Sequence, residues 1–357
     1  MTDLLYGDDE NDLRSAARAL LEDRAPWPSV LARTETDEPY DPKLWRSLAT
    51  ELGCAGLAVP EELGGAGASW REAAVVAEEL GRAVAPVPFL GSAVIATAAL
   101  LAAGDPDLTG ELAAGARTAA LAVPFSTDPH APYPATVTAE GDVLTGTVRS
   151  VADALPADVL LVPAGGDLYA VEASAVTRTP VVSLDMTRRL CDLRFTAAPA
   201  RPVARGETAV RAGLLTGAAV LASEQLGLAE RCLEITVEYL KTRYQFGRPI
   251  GSYQGLKHRL ADLWVAITQA RAVARYAAAC AADGDPDTPV AVAVAQAHCS
   301  AVAVRAAEEC VQMHGGIGFT WEHPAHLFLK RAKSTAIALG TPDRHRAALA
   351  GLVDLPG

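Results

Sequence analysis

Aromatic side chains are scarce in this chain of 357 residues: Phe, Trp and Tyr together make up 5%. A core short of large flat side chains must be closed by small ones, so helices should meet closely through Ala, the strongest helix former. Basic residues are also in deficit, 31 against 43 acidic, for a formal net charge of −12. With no basic stripe against that balance, a nucleic-acid binder is excluded. Long hydrophobic runs are missing too. Stretches such as Ala93 to Ala103 fall far short of the ~20 residues of a membrane-crossing helix, and they carry no cleavage pattern. The acidic start from Met1 to Glu10 is the wrong opening for a signal peptide. The six cysteines (Cys54, Cys191, Cys232, Cys280, Cys299, Cys310) show no Cys-x-x-Cys spacing. They are expected as buried, reduced thiols, which points to the cytoplasm.

What is present is helical periodicity at both ends. Helices are expected over Leu13–Leu21, Pro42–Leu52, Glu72–Ala83 and Gly91–Ala102, the last broken by Gly104 and Asp105-Pro106. From Thr118 to Pro202 the pattern changes to short apolar or alternating runs, the mark of a compact β unit. They are Ala119–Val123, Ala135–Ala139, Val143–Val148, Val159–Val162, Leu168–Val171, Val181–Leu184 and Leu190–Phe195, with an irregular loop at Pro129–Pro134. Long helices follow over Ala209–Lys241, Gln254–Ala282, Asp287–His314 and Pro324–Ala338. The expected units are an N-terminal helical domain (1–116), a middle β domain (117–203) and a C-terminal helical bundle (204–357).

Two segments could carry chemistry. In Arg243-Tyr-Gln-Phe-Gly-Arg-Pro-Ile-Gly-Ser-Tyr-Gln254 a planar cation suits a phosphate or pyrophosphate. Gln245 and Gln254 offer directional hydrogen bonds and Phe246 a flat apolar face. An ordinary helix C-cap with a favourably placed cation reads equally well from these residues. In Gln312-Met-His-Gly-Gly-Ile-Gly-Phe-Thr320, three glycines within four positions allow a tight turn or a close ligand approach. The cluster follows a helix, whereas a Rossmann fingerprint follows a strand.

Taken together and in this order, the two segments resemble the acyl-CoA dehydrogenase family. Its R-x-x-F-G-x-x-[IL]-x-x-x-Q pattern matches Arg243, Phe246, Gly247, Ile250 and Gln254, and its Q-x-x-G-G-x-G-[FY] pattern matches Gln312, Gly315, Gly316, Gly318 and Phe319. Upstream, Gly56-Leu-Ala-Val-Pro-Glu-Glu-Leu-Gly-Gly-Ala-Gly67 is similar to a third family turn. The resemblance implies a mainly α fold with a central β-barrel or sandwich and a C-terminal four-helix bundle. It also implies a flavoprotein that oxidises the Cα–Cβ bond of an acyl-CoA, passing electrons to an electron-transfer acceptor. A carboxylate removes the α-proton while the flavin takes the β-hydrogen as hydride. In that family Arg243, Gln245 and Phe246, with Gln254 closing the motif, would serve an FAD held mainly by a neighbouring subunit. Gln312, Gly315 and Gly316 would run beside its adenosine half. Thr341 matches a residue that contacts FAD from within its own chain.

The chain departs from the family at the base. An ungapped count from Gly315 turns the usual Y-E-G-T into Ala338-Leu-Gly-Thr341, so the base position is Leu339. The minority position, counted back from Arg243, is Gly217. Glu224, two helical turns on, is the candidate for a displaced base, though a solvated or paired helix residue is the blander reading. The family's flavin-ring strand falls at Leu121–Asp128 and its W-x-T at Ser150 and Ala152, keeping few of those groups. No metal site is expected, because Pro324 separates His323 from His326 and no third ligand is apparent. His314 is expected to pack or hydrogen-bond.

Each FAD in this family lies across a subunit interface. A chain that has lost its base and ring contacts can still complete a partner's site. Some bacterial members, notably for steroid side-chain degradation, are α2β2 heterotetramers with one degenerate subunit, and Trp321–His326 and Leu339 resemble that group. The expectation is therefore a cytoplasmic bacterial subunit of lipid metabolism that completes a homologous partner's FAD site. The alternatives are a self-sufficient homo-oligomer using Glu224, a non-redox thioester binder, and a purely structural interaction protein.

Overall fold

Proline opens several helices of this chain. Asp41 accepts the N–H groups of Lys43 and Leu44 at 3.0 Å, and Pro42 takes the first helical position, where a missing N–H costs nothing. Asp105 does the same for Leu108 at 3.1 Å ahead of Pro106, and Thr341 for Arg344 at 3.4 Å ahead of Pro342.

The computed structural model describes residues 4–38 and 40–354. Its N-terminal third holds α1 (Asp8–Arg24), α2 (Trp27–Thr34), α3 (Pro42–Arg46), α4 (Trp70–Ala83), α5 (Thr97–Ala103) and α6 (Pro106–Ala113). π-helical stretches extend α3 through Ser47–Glu51 and precede α5 over Phe89–Ala96. The middle third forms two four-stranded sheets. One runs in the order β1 (Ala119–Leu121), β4 (Val159–Ala164), β5 (Asp167–Glu172), β8 (Arg201–Arg205). The other runs β2 (Val137–Glu140), β3 (Val143–Ala152), β7 (Leu190–Pro199), β6 (Thr177–Val181). Among the described strands only the β1–β4 pairing is parallel. The last third comprises α7 (Thr208–Thr242), a short hairpin of β9 (Tyr244–Gln245) and β10 (Arg248–Pro249), α8 (Gln254–Asp283), α9 (Thr288–His314), α10 (Ala325–Thr335) and α11 (Pro342–Leu352).

Strand β4 joins the layers. Leu160 and Val162 face the sandwich core with Leu144, Leu193 and Phe195, while Val159 and Leu161 face the helical core. Burial on both sides explains its unbroken apolar run. Helices α4 and α7 meet through reciprocal glycines. A Cβ on Gly81 would lie 2.0 Å from the Glu224 carbonyl oxygen, and one on Gly227 would lie 1.9 Å from that of Glu78. This is the close, small-residue packing that an aromatic-poor chain requires. All six cysteines are buried and unpaired.

Several expectations change. Asp105-Pro106 begins α6 rather than merely ending a helix, and α2, α11 and β8 were not anticipated. The strand expected at Val181–Leu184 is instead Thr177–Val181, and Val182 and Leu184 are exposed in a loop. The helix expected through Ala338 stops at Thr335. Helices α7 and α9 are, by length and hydropathy, apolar enough to cross a membrane, although no such run was expected. Their most apolar windows are 83% and 67% buried within the fold, as in core helices.

Candidate functional site

The β9–β10 hairpin turns through Phe246 and Gly247, at φ 53° and 78°. Two successive left-handed residues suit a tight hairpin turn, and they hold Phe246 91% exposed. A large apolar ring is thus presented to solvent at the tip of a rigid turn. The hairpin is braced by the Ile250 N–H donating to Arg243 O (2.8 Å) and by Arg248 over the Tyr253 ring at 3.9 Å.

Across from it, α9 ends in the glycine turn. Gly315 stands at φ 61° and ψ −136°, a conformation that favours glycine. A Cβ on Gly315 or Gly316 would meet nothing, so neither is small for packing; the turn leaves room for something outside the chain. Gly318 differs, because a Cβ there would lie 2.6 Å from Val311 O. The two segments face one open cleft of about 720 Å³, lined by Arg243, Gln245, Phe246, Gln312, Gly315 and Gly316. Tyr239, Tyr253 and Arg259, which the sequence motifs did not single out, complete its walls. Its floor is ordered by the His314 ring stacked on Tyr239 at 4.5 Å and against His323 at 4.1 Å. Arg259 is paired with Glu309 at 2.6 Å. Among the described residues Arg243 is exposed and makes no ion pair, leaving its charge for a ligand. Gln254 is exposed at the first position of α8, outside the cleft lining, and Thr341 caps α11 elsewhere.

The two positions where the family's base was expected converge in space. A Cβ on Gly217 would lie 3.4 Å from Leu339 Cδ1 and only 2.5 Å from Ile95 Cγ1. Leu339 is buried with φ 51°, its N–H donating to Phe125 O at 2.8 Å, while the Phe125 N–H donates to Ser150 O at 2.9 Å. The segments where flavin-ring contacts were expected are therefore closed onto each other. What space remains is a void of about 20 Å³, lined by Leu90, Ile95, Leu121, Phe125, Leu214 and Leu339 among others. It has room for about one water and none for a thioester or an isoalloxazine. Gly217→Ala is expected to overpack this point and cost about 1–3 kcal/mol, read as a lower urea midpoint with an unchanged slope. An unaltered midpoint would contradict the packing described.

Glu224 does not line that void. It is fully enclosed by two guanidiniums: Arg188 donates to Oε1 (3.1 Å) and Oε2 (2.6 Å), and Arg331 donates to Oε1 (2.8 Å). Arg331 also reaches Asp185 Oδ2 at 2.6 Å and Thr187 Oγ1 at 2.6 Å. Burial disfavours the Glu224 carboxylate, but Arg188 and then Arg331 outweigh it and pull the pKa down to about 2. A carboxylate so held is a poor proton acceptor, and it ties the loop after β6 to α7 and α10.

Residues 7–114 match the family Acyl-CoA dehydrogenase, N-terminal domain, and residues 204–352 match Acyl-CoA dehydrogenase, C-terminal domain. The chain is 40% identical over 332 residues to acyl-CoA dehydrogenase IpdE2 of Mycobacterium tuberculosis, covering 92% of each. Among solved structures it resembles the ChsE4–ChsE5 complex from Mycobacterium tuberculosis, with 28% identity, all of both chains covered and a TM-score of 0.89. It also resembles the Tcur3481–Tcur3483 steroid ACAD, with 30% identity, 98% of each chain covered and a TM-score of 0.87. By its sequence over nearly its whole length and by its fold, this chain belongs to the acyl-CoA dehydrogenase family.

Proposed function

We propose that this chain is the base-free subunit of a hetero-oligomeric acyl-CoA dehydrogenase and completes the FAD site of a homologous partner that bears the catalytic glutamate. The observation that carries this reading is the closure of its inner pocket: Leu339 and Gly217, the two base positions, meet at a void of about 20 Å³. The outer cleft, by contrast, is open and fits part of a dinucleotide. Arg243 would take a phosphate, Phe246 would lie against a flat ring, and Gly315 and Gly316 would let the backbone approach. When bound, FAD supplies the hydride acceptor for Cα–Cβ oxidation of an acyl-CoA. The isoalloxazine does not fit this chain's own inner pocket, and no proton transfer is assigned to its residues.

The names of the ChsE4–ChsE5 and Tcur3481–Tcur3483 structures each pair two proteins, which supports a heteromeric partner here. An electron-transfer acceptor, a bacterial lipid pathway and a cytoplasmic location complete the proposal. A self-sufficient enzyme would need Glu224 free to accept a proton, and it is locked between two arginines. A thioester binder without redox chemistry would need an inner pocket larger than the one found.

Absorbance over the flavin bands tests the reading. The chain purified alone is expected to be colourless and to show no bleaching with acyl-CoA. A stoichiometric flavin that bleaches would overturn it.

A further inference from the structure

From the chemistry of one buried cluster, we propose that Asp128, His130 and His345 form a zinc site that staples the segment after β1 to the start of α11. One donor atom from each residue lies within 4.8 Å of the others. His345 is fully buried and its Nε2 donates to Leu339 O at 2.9 Å. In the neutral ring that leaves Nδ1 as a bare lone pair, and Nδ1 has no hydrogen-bond partner. His130 Nε2 is likewise buried without a partner. The two rings stand edge to face, with centroids 5.4 Å apart. Asp128 is buried and accepts the His130 N–H through Oδ1 at 2.8 Å, which fixes the two residues relative to each other.

Two orphaned imidazole nitrogens beside a carboxylate are an unexplained cost in a protein interior. A cation removes it. Two imidazoles and one carboxylate are a familiar three-ligand set for Zn²⁺, with water as the fourth ligand. The Leu339 carbonyl supplies the outer hydrogen bond that fixes the tautomer of a metal-bound histidine. Tetrahedral bonds of ~2.0–2.2 Å place donors ~3.4 Å apart, so binding draws the three side chains slightly together. Gly340 lets the His345 ring and Asp128 pack side by side: a Cβ there would lie 2.8 Å from His345 Nε2 and 3.3 Å from Asp128 Cγ.

The site differs from the histidines singled out in the sequence. His323 stacks on His314, and His326 lies edge-on to Trp321 at 4.7 Å. None of the site's residues lines the outer cleft; Asp128 ends the segment where the family's flavin-ring strand was expected. Its effect is to hold Phe125 O on Leu339 N–H and so to keep the inner pocket shut.

The test uses the full chain, with any co-purifying subunit, stripped by chelation and titrated with ZnSO₄ by calorimetry. One tight Zn²⁺ per chain is expected, with a higher Tm in zinc. Both should be lost in His130→Ala and strongly weakened in Asp128→Asn. Co²⁺ in place of zinc should give visible d–d bands in the unaltered protein and not in His130→Ala. Absence of tight binding, or equal binding and equal Tm shifts in His130→Ala, would overturn the site.

Discussion

Glu224→Gln is expected to destabilise the fold by about 3–5 kcal/mol, because it leaves Arg188 and Arg331 buried with too little negative charge. Both guanidiniums are at most 5% exposed; Asp185 pairs directly with Arg331, and Arg188 keeps only the more distant Asp153 and Asp185 charges. The pH dependence follows from the sign of the shift. The Glu224 pKa is depressed in the folded chain, from 4.5 to about 2. Its stabilising contribution is fully present above pH 4.5 and fades as the pH falls toward 2. Glu224→Gln should flatten the stability profile across that window as well as lower the Tm at neutral pH. A displaced catalytic base would behave in the opposite way: its removal would abolish flavin bleaching and leave the Tm nearly unchanged. Thermal unfolding at neutral pH and at pH 3 separates the two.

The second large effect is on cofactor affinity. Arg243 is exposed and makes no ion pair among the described residues, so Arg243→Ala removes no packing. A charge-assisted contact to a phosphate contributes about 1.5–3 kcal/mol. In the complex with a base-bearing partner, FAD binding should therefore weaken roughly 10- to 100-fold at unchanged Tm of the apo-complex. Fluorescence titration of FAD into the apo-complex measures this. Unchanged affinity would show that the outer cleft does not hold the cofactor.

Local spacing made the outer cleft legible. Arg243, Gln245 and Phe246 sit on one hairpin and Gln312, Gly315 and Gly316 on one turn, so each half is a short segment; only their juxtaposition had to come from the fold. Leu339 was reached by counting without gaps, and its meeting with Gly217 followed from the packing of α7 against Ile95. The Glu224 cluster was not legible, because its partners lie 36 and 107 positions away. Helical periodicity placed Glu224 near the face of Gly217, but two turns along the helix its carboxylate meets arginines from a β-domain loop and from α10. Asp128, His130 and His345 were hidden for the same reason, coming from the segment after β1 and from α11, a helix that was not anticipated. Asp105-Pro106 misled in the same way, since a cap and a first-turn proline spell a helix start as readily as a break.

The chain carries an asymmetry: an open outer cleft lies beside a closed inner pocket. The ratio of FAD to protein in the complex of this chain with its base-bearing partner measures it most directly. One FAD per pair of chains, bound roughly 10- to 100-fold more weakly after Arg243→Ala, is the predicted result. Two FAD per pair, one of them held by the inner pocket of this chain, would contradict the account.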